Sequence, residues 1–197
     1  AEGNRLAVEG EVYALKGGTL RATSFNVGGA NPVYVDASVN NPTLDISGTV
    51  TIGSGSTYKA SNTGGFDVGG SWQNSGTFVA QSGEVNFNST DTGETVNAGS
   101  SSFYILKFNS AGGGWTITQN ATSTNNLFIT NASAFTLTAG KALAVGGTFT
   151  NSVGGSATTW ATSTLSLYSG TSYSINTKSA GNDVYGTLLI GANTDIR

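Results

Sequence analysis

The chain reads as an all-β protein, a right-handed parallel β-helix (β-solenoid) built from coils of about 20 residues. Three observations predict this fold. Short runs with a period of two recur along most of the 197 residues, and this is the pattern of strands with one buried face. The runs are separated by Ser-Gly, Gly-Gly, Asn-Ser and Asn-Ala pairs, which are turn chemistry. One segment is also written twice. Phe66-Asp67-Val68-Gly69-Gly70-Ser71-Trp72-Gln73-Asn74-Ser75 returns as Leu143-Ala144-Val145-Gly146-Gly147-Thr148-Phe149-Thr150-Asn151-Ser152, an offset in numbering of 143 − 66 = 77. Repetition on this scale is the mark of a solenoid.

The alternating runs include Thr43-Leu44-Asp45-Ile46, Thr49-Val50-Thr51-Ile52, Glu84-Val85-Asn86-Phe87, Trp115-Thr116-Ile117-Thr118, Phe135-Thr136-Leu137-Thr138 and Thr164-Leu165-Ser166-Leu167. No sustained stretch combines helical periodicity with helix-forming composition. Pro32 and Pro42 are the only prolines, so later strands are free to pair on both edges. Beyond the copied segment the match continues with small gaps. Val85-Asn86-Phe87 answers to Leu165-Ser166-Leu167, and Leu106-Lys107-Phe108 to Leu188-Leu189-Ile190, where the offset has grown to 188 − 106 = 82. These matches predict super-repeats near residues 63–142 and 143–197. Units beginning near Thr43, Thr63, Glu84, Phe103, Asn126, Leu143, Leu165 and Val184 predict eight coils in residues 43–197. Leu, Ile, Val and Phe would point inward. Gly69, Gly70, Asn74, Gly146, Gly147 and Asn151 would form corners, with stacked Asn side chains bonding between coils. A β-sandwich also has many short strands, but it does not require equivalent strands at equal spacing.

Residues 1–42 fit the repeat poorly. They are expected to be an N-terminal cap or a strand-exchange segment, with a trailing piece of a longer array as the remaining reading. Leu6, Val8, Val12, Tyr13 and Leu15 are the candidate subunit contact, by addition of a strand to a neighbour. The start Ala1-Glu2-Gly3 suits either signal-peptide cleavage or an arbitrary boundary.

Composition narrows the function. The chain lacks His, Cys and Met. Imidazole bases, thiolate nucleophiles, disulfides and zinc-thiolate sites are therefore excluded. Charged residues make up only 10%, with a net charge of −3. The eight cations are scattered, so no basic surface for nucleic acid is expected. No apolar run is long enough for a membrane helix. The 11 acids are spread out, and the closest groupings, Glu9/Glu11 and Asp91/Glu94, read as solvated charge. A calcium ion at the Asp91-Thr92-Gly93-Glu94 turn is the sharper alternative. Asn88-Ser89-Thr90, Asn120-Ala121-Thr122 and Asn131-Ala132-Ser133 match the glycosylation acceptor pattern. In so Asn/Ser/Thr-rich a chain, chance matches are expected.

The string Gly69-Gly70-Ser71-Trp72-Gln73-Asn74-Ser75-Gly76-Thr77-Phe78, with Gly83-Glu84-Val85-Asn86-Phe87 and Ser102-Phe103-Tyr104-Ile105-Leu106-Lys107-Phe108 after it, resembles the repeat of large secreted bacterial surface proteins. Their pattern runs Val-Gly-Gly-x-aromatic-x-Asn-Ser-Gly-x-Phe. The resemblance covers residues 43–197. It implies a parallel β-helix in an extracellular or cell-surface structural or adhesive protein. The expected function is therefore non-enzymatic: a stalk, adhesin segment or filament subunit that needs no cofactor and whose partner is itself, as a homopolymer or a longer repeat array, or surface glycans. An ice-binding solenoid is the alternative, with Thr116, Thr118, Thr136 and Thr138 as the candidate face. A glycan-binding or glycan-processing helix is the second alternative, with Trp72, Trp115 and Trp160 as the residues to inspect. The repeat aligns Trp72 with Phe149 and Trp160 with Phe78, which favours packing over sugar stacking.

Overall fold

The computed structural model describes residues 6–8, 12–160, 162–168, 172–173, 185–192 and 195–196. These residues wind into a parallel β-solenoid of about seven turns of roughly 22 residues, with no helix. At about 4.8 Å per turn the stack rises roughly 34 Å.

The strands fall on three faces. The first face stacks Leu6–Val8, Phe25–Val27, Val50–Ile52, Trp72–Asn74, Glu94–Asn97, Gly114–Ile117, Ala134–Leu137 and Thr158–Thr159. The second carries Val12–Ala14, Tyr34–Asp36, Thr57–Lys59 and Thr77–Val79, is interrupted, and resumes with Ala121–Ser123, Ala142–Val145, Thr164–Leu167 and Thr187–Ile190. A single parallel bridge, Phe103 to Ser123, marks the interruption. The third face stacks Thr19–Ala22, Thr43–Ile46, Phe66–Val68, Glu84–Phe87, Ile105–Asn109, Leu127–Asn131 and Phe149–Asn151. Ser172–Tyr173 pairs with Asp195–Ile196. All these pairs are parallel. The step in numbering from one turn to the next varies from 85 − 66 = 19 (Phe66 to Val85) to 50 − 25 = 25 (Phe25 to Val50). The corners absorb that variation at little cost.

Period-two patterning sets the core. On the third face Leu44, Phe66, Val85, Leu106, Leu127 and Phe149 stand in one inward column, and all are buried. Each such side chain contributes about 1.5–3 kcal/mol of burial. Aromatic rings link one turn to the next, from Phe25 through Tyr58, Phe66, Trp72, Phe87, Phe108, Phe135 and Trp160 to Tyr185. Their centroids lie between 5.0 Å (Phe108–Phe135) and 6.3 Å (Trp72–Phe87) apart, the range where edge-to-face and offset contacts are favourable.

The twice-written segment does not mark the same place in two turns. Phe66 lies on the third face and Leu143 on the second; Trp72 lies on the first and Phe149 on the third. The copies form two different corners of like sequence, one face apart. Counting coils through the copy therefore changes face between Asn126 and Leu143. The strand that stacks on Leu127 begins at Phe149, a step of 149 − 127 = 22. From Thr43 the third-face strands begin at 43, 66, 84, 105, 127 and 149. That series is the observed turn spacing, somewhat longer than the sequence suggested. The described residues accordingly make about seven turns, rather than eight from Thr43 onward.

Pairing is continuous across residue 42. Thr19–Ala22 is in register with Thr43–Ile46, and Tyr34–Asp36 with Thr57–Lys59. Leu6 and Val8 hold the register positions of the inward Phe25 and Val27. Tyr13 holds that of the buried Val35, and Val12 that of the outward Tyr34. Leu15 is half-buried and packs on the core. Residues 1–5 and 9–11, including Glu9 and Glu11, lie outside the described residues, as does Val184.

Candidate functional surfaces

The corners explain the copied sequence. Asn74 and Asn151 are buried at strand ends. In each, Oδ1 accepts the backbone N–H two residues on: Gly76 N at 3.0 Å and Val153 N at 3.2 Å. Beyond this local turn the two copies differ. Asn74 Nδ2 donates to Ala98 O at 2.9 Å and Ser101 Oγ at 3.1 Å, whereas Asn151 Nδ2 reaches Tyr185 Oη at 3.5 Å. The expected Asn-to-Asn contact between coils occurs elsewhere, on the outside of the third face, where Asn131 Nδ2 donates to Asn109 Oδ1 at 2.7 Å. The paired glycines are required by close approach. A Cβ on Gly69 would lie 2.6 Å from Ser47 O, one on Gly70 2.6 Å from Gly48 C, and one on Gly147 2.6 Å from Asn125 Oδ1; one on Gly146 would press still closer on Thr124 O.

Thr116, Thr118, Thr136 and Thr138 come together. Thr116 is in register with Thr136 on the first face. Thr118 and Thr138 follow the inward pair Ile117 and Leu137 and form the second row. The block is about 4.8 Å across strands and about 6.7 Å along them. Register adds Thr95 before it and Thr159 after it. These two were missed in the sequence because they do not belong to Thr-x-Thr pairs. Two hydroxyls are engaged by the protein: Thr118 Oγ1 donates to Val96 O at 3.3 Å, and Thr95 Oγ1 accepts from Gln73 Nε2 at 2.7 Å. The Thr49/Thr51 and Thr148/Thr150 pairs lie apart, Thr51 beside Asn26 and Gln73, and Thr150 on the third face.

The third face carries an outward row that sequence spacing hid: Arg21, Asp45, Asp67, Asn86 and Lys107, one per turn. Arg21 Nε pairs with Asp45 Oδ2 at 3.0 Å, Asn86 Nδ2 donates to Asp67 Oδ1 at 2.7 Å, and Lys107 Nζ lies 3.5 Å from Glu84 Oε1. Each acid is thus matched by a neighbour in the stack. Beside Asp45 is a depression of about 230 Å³ lined by Ser47, Gly69, Asn88, Ser89 and Thr90. Its lining holds one carboxylate and no second acid or base. Among the described residues, no group of three acids could hold a metal ion. Asp91 is exposed, and Glu94 accepts the Ser71 hydroxyl at 2.6 Å.

On the second face Asp36 accepts the Ser38 hydroxyl at 2.6 Å and the Ser38 N–H at 2.8 Å, with Lys59 Nζ at 3.4 Å. Burial pushes its carboxyl up, but the Ser38 bonds and Lys59 outweigh this and hold it below the usual 3.8. Burial, with the charge of Asp36 nearby, raises the Tyr58 hydroxyl above its ordinary range. Trp72, Trp115 and Trp160 are buried, so none presents a ring for sugar stacking. Asn120 and Asn131 are exposed, whereas Asn88 is half-buried.

The last strand of the second face differs from those before it. Leu188 and Ile190 are in register with Leu165 and Leu167, which are fully buried, yet both are 39% exposed. No helix is long and apolar enough to cross a membrane among the described residues. No family model, curated protein or solved structure matches the chain.

Proposed function

We propose that this chain is a non-catalytic structural segment of an extracellular or cell-surface assembly, a stalk, adhesin segment or filament unit that assembles through its strand edges. The observation that carries the reading is the strand Thr187–Ile190, which no further strand covers among the described residues. The inward positions that Leu188 and Ile190 occupy are buried in the earlier turns of that face from Leu143 and Val145 onward. Exposed parallel edges with apolar side chains are templates for further strands. The resemblance to secreted bacterial repeats, the low charge and the absence of His and Cys support a structural role over a catalytic one. Sedimentation velocity and electron microscopy over a concentration series test it. Narrow particles that lengthen with concentration are expected; a monodisperse monomer at high concentration counts against the reading.

A second reading rests on the in-register threonines. A block of methyls and hydroxyls held in register at strand spacing suits an ordered water lattice. Inhibition of ice recrystallisation that disappears in the Thr116→Lys/Thr136→Lys variant is the expected result. Unchanged ice growth with the unsubstituted protein removes this reading.

A further inference from the structure

We infer that the uncovered strand Thr187–Ile190 pairs, in parallel, with strand Val12–Ala14 of a second copy of this chain, so that the second face runs on across the joint. The inference deepens the assembly reading above and rests on it. Both strands belong to the second face, and each has a single strand neighbour among the described residues: Thr164–Leu167 for one and Tyr34–Asp36 for the other. The joint therefore continues an interface that the chain already makes between its own turns, with the same strand direction and the same ladder bonds.

The two ends also match in their apolar side chains. At the far end Leu188 and Ile190 are exposed at inward positions. At the near end Leu20 stands in the column of Leu44 but is only half-buried, beside a depression of about 210 Å³ lined by Leu15, Gly18, Thr19 and Pro42. Stacking end on start covers both. The contact joins two different surfaces, so it propagates as a filament and does not close into a dimer.

The absence of cysteine makes the joint directly testable. Leu189 is outward, in register with Ser166, and Val12 and Ala14 hold the register positions of the outward Tyr34 and Asp36. Paired parallel strands bring such positions to about 4.8 Å, within disulfide reach. Leu189→Cys is combined with Val12→Cys or Ala14→Cys in one chain, oxidised, and run on a non-reducing gel. A ladder of covalent oligomers that collapses on reduction is expected, with Leu189→Cys alone giving no dimer. Efficient dimers of Leu189→Cys alone mean contact between like ends and overturn the inference. If the unsubstituted protein sediments as oligomers while neither pair cross-links, the joint lies elsewhere and the inference fails, although the assembly reading stands. If the unsubstituted protein stays monomeric throughout, both fall.

Discussion

Replacing Asn74 by Ala tests whether a corner is held by local sequence or by the neighbouring turn. Asn74 makes three bonds: it accepts from Gly76 N at 3.0 Å and donates to Ala98 O at 2.9 Å and Ser101 Oγ at 3.1 Å. At about 1 kcal/mol net for each, and more where a buried group is left unpaired, the loss is about 2–4 kcal/mol. For a chain of this size that is a fall of roughly 4–16 °C in Tm, at about 2–4 °C per kcal/mol. Asn151→Ala removes the Val153 N–H bond at 3.2 Å and a long contact to Tyr185 at 3.5 Å, so a loss of about 1–2 kcal/mol is expected. Asn131→Ala, at an exposed site, should stay within about 0.5 kcal/mol. Urea unfolding, followed by fluorescence of the three buried tryptophans, reads these losses. Equal losses at Asn74 and Asn151, or less than about 0.5 kcal/mol at Asn74, would overturn this account. The two residues share a local motif and differ in what the adjacent turn offers.

Gly70→Ala should cost about 1–3 kcal/mol, read as a lower Tm, since its Cβ meets the Gly48 backbone and has no flexible side chain to displace. Ser101→Ala should speed hydrogen exchange at Phe78, whose N–H donates to Ser101 Oγ at 2.9 Å where the second-face ladder is interrupted. Asp36 has a folded pKa below its unfolded value, so its stabilisation is whole above about pH 4 and is lost as pH falls through the lower folded value. Asp36→Asn should therefore flatten the acid side of a plot of urea midpoint against pH. Tyr58 has the opposite sign: its raised folded pKa makes stability fall as pH rises above its ordinary 10. Tyr58→Phe should hold its urea midpoint further into alkali.

Strands and core were legible because period-two alternation needs no tertiary knowledge. Leu44, Val85, Leu106 and Leu127 can be assigned inward from their neighbours alone. The face of each strand was not legible. Corners on different faces use the same chemistry, Gly-Gly for close approach and a buried Asn closing its own turn, so Phe66 and Leu143 look equivalent although they lie on different faces. The threonine block was half visible: Thr116, Thr118, Thr136 and Thr138 announce themselves as pairs, whereas Thr95 and Thr159 join only through register. The row Arg21, Asp45, Asp67, Asn86 and Lys107 was hidden because its members are far apart in the chain at uneven steps, from 86 − 67 = 19 to 45 − 21 = 24.

Alternation and turn residues are local properties, written residue by residue. Together with the repeat they pointed to a parallel β-solenoid with apolar and aromatic columns inside and small polar residues outside. Which strands share a face, where the turns fall and which end is left uncovered emerged only from the stacked coils. Those features depend on turn lengths that vary along the chain, and the packing of whole turns on one another, rather than any single segment, selects the register.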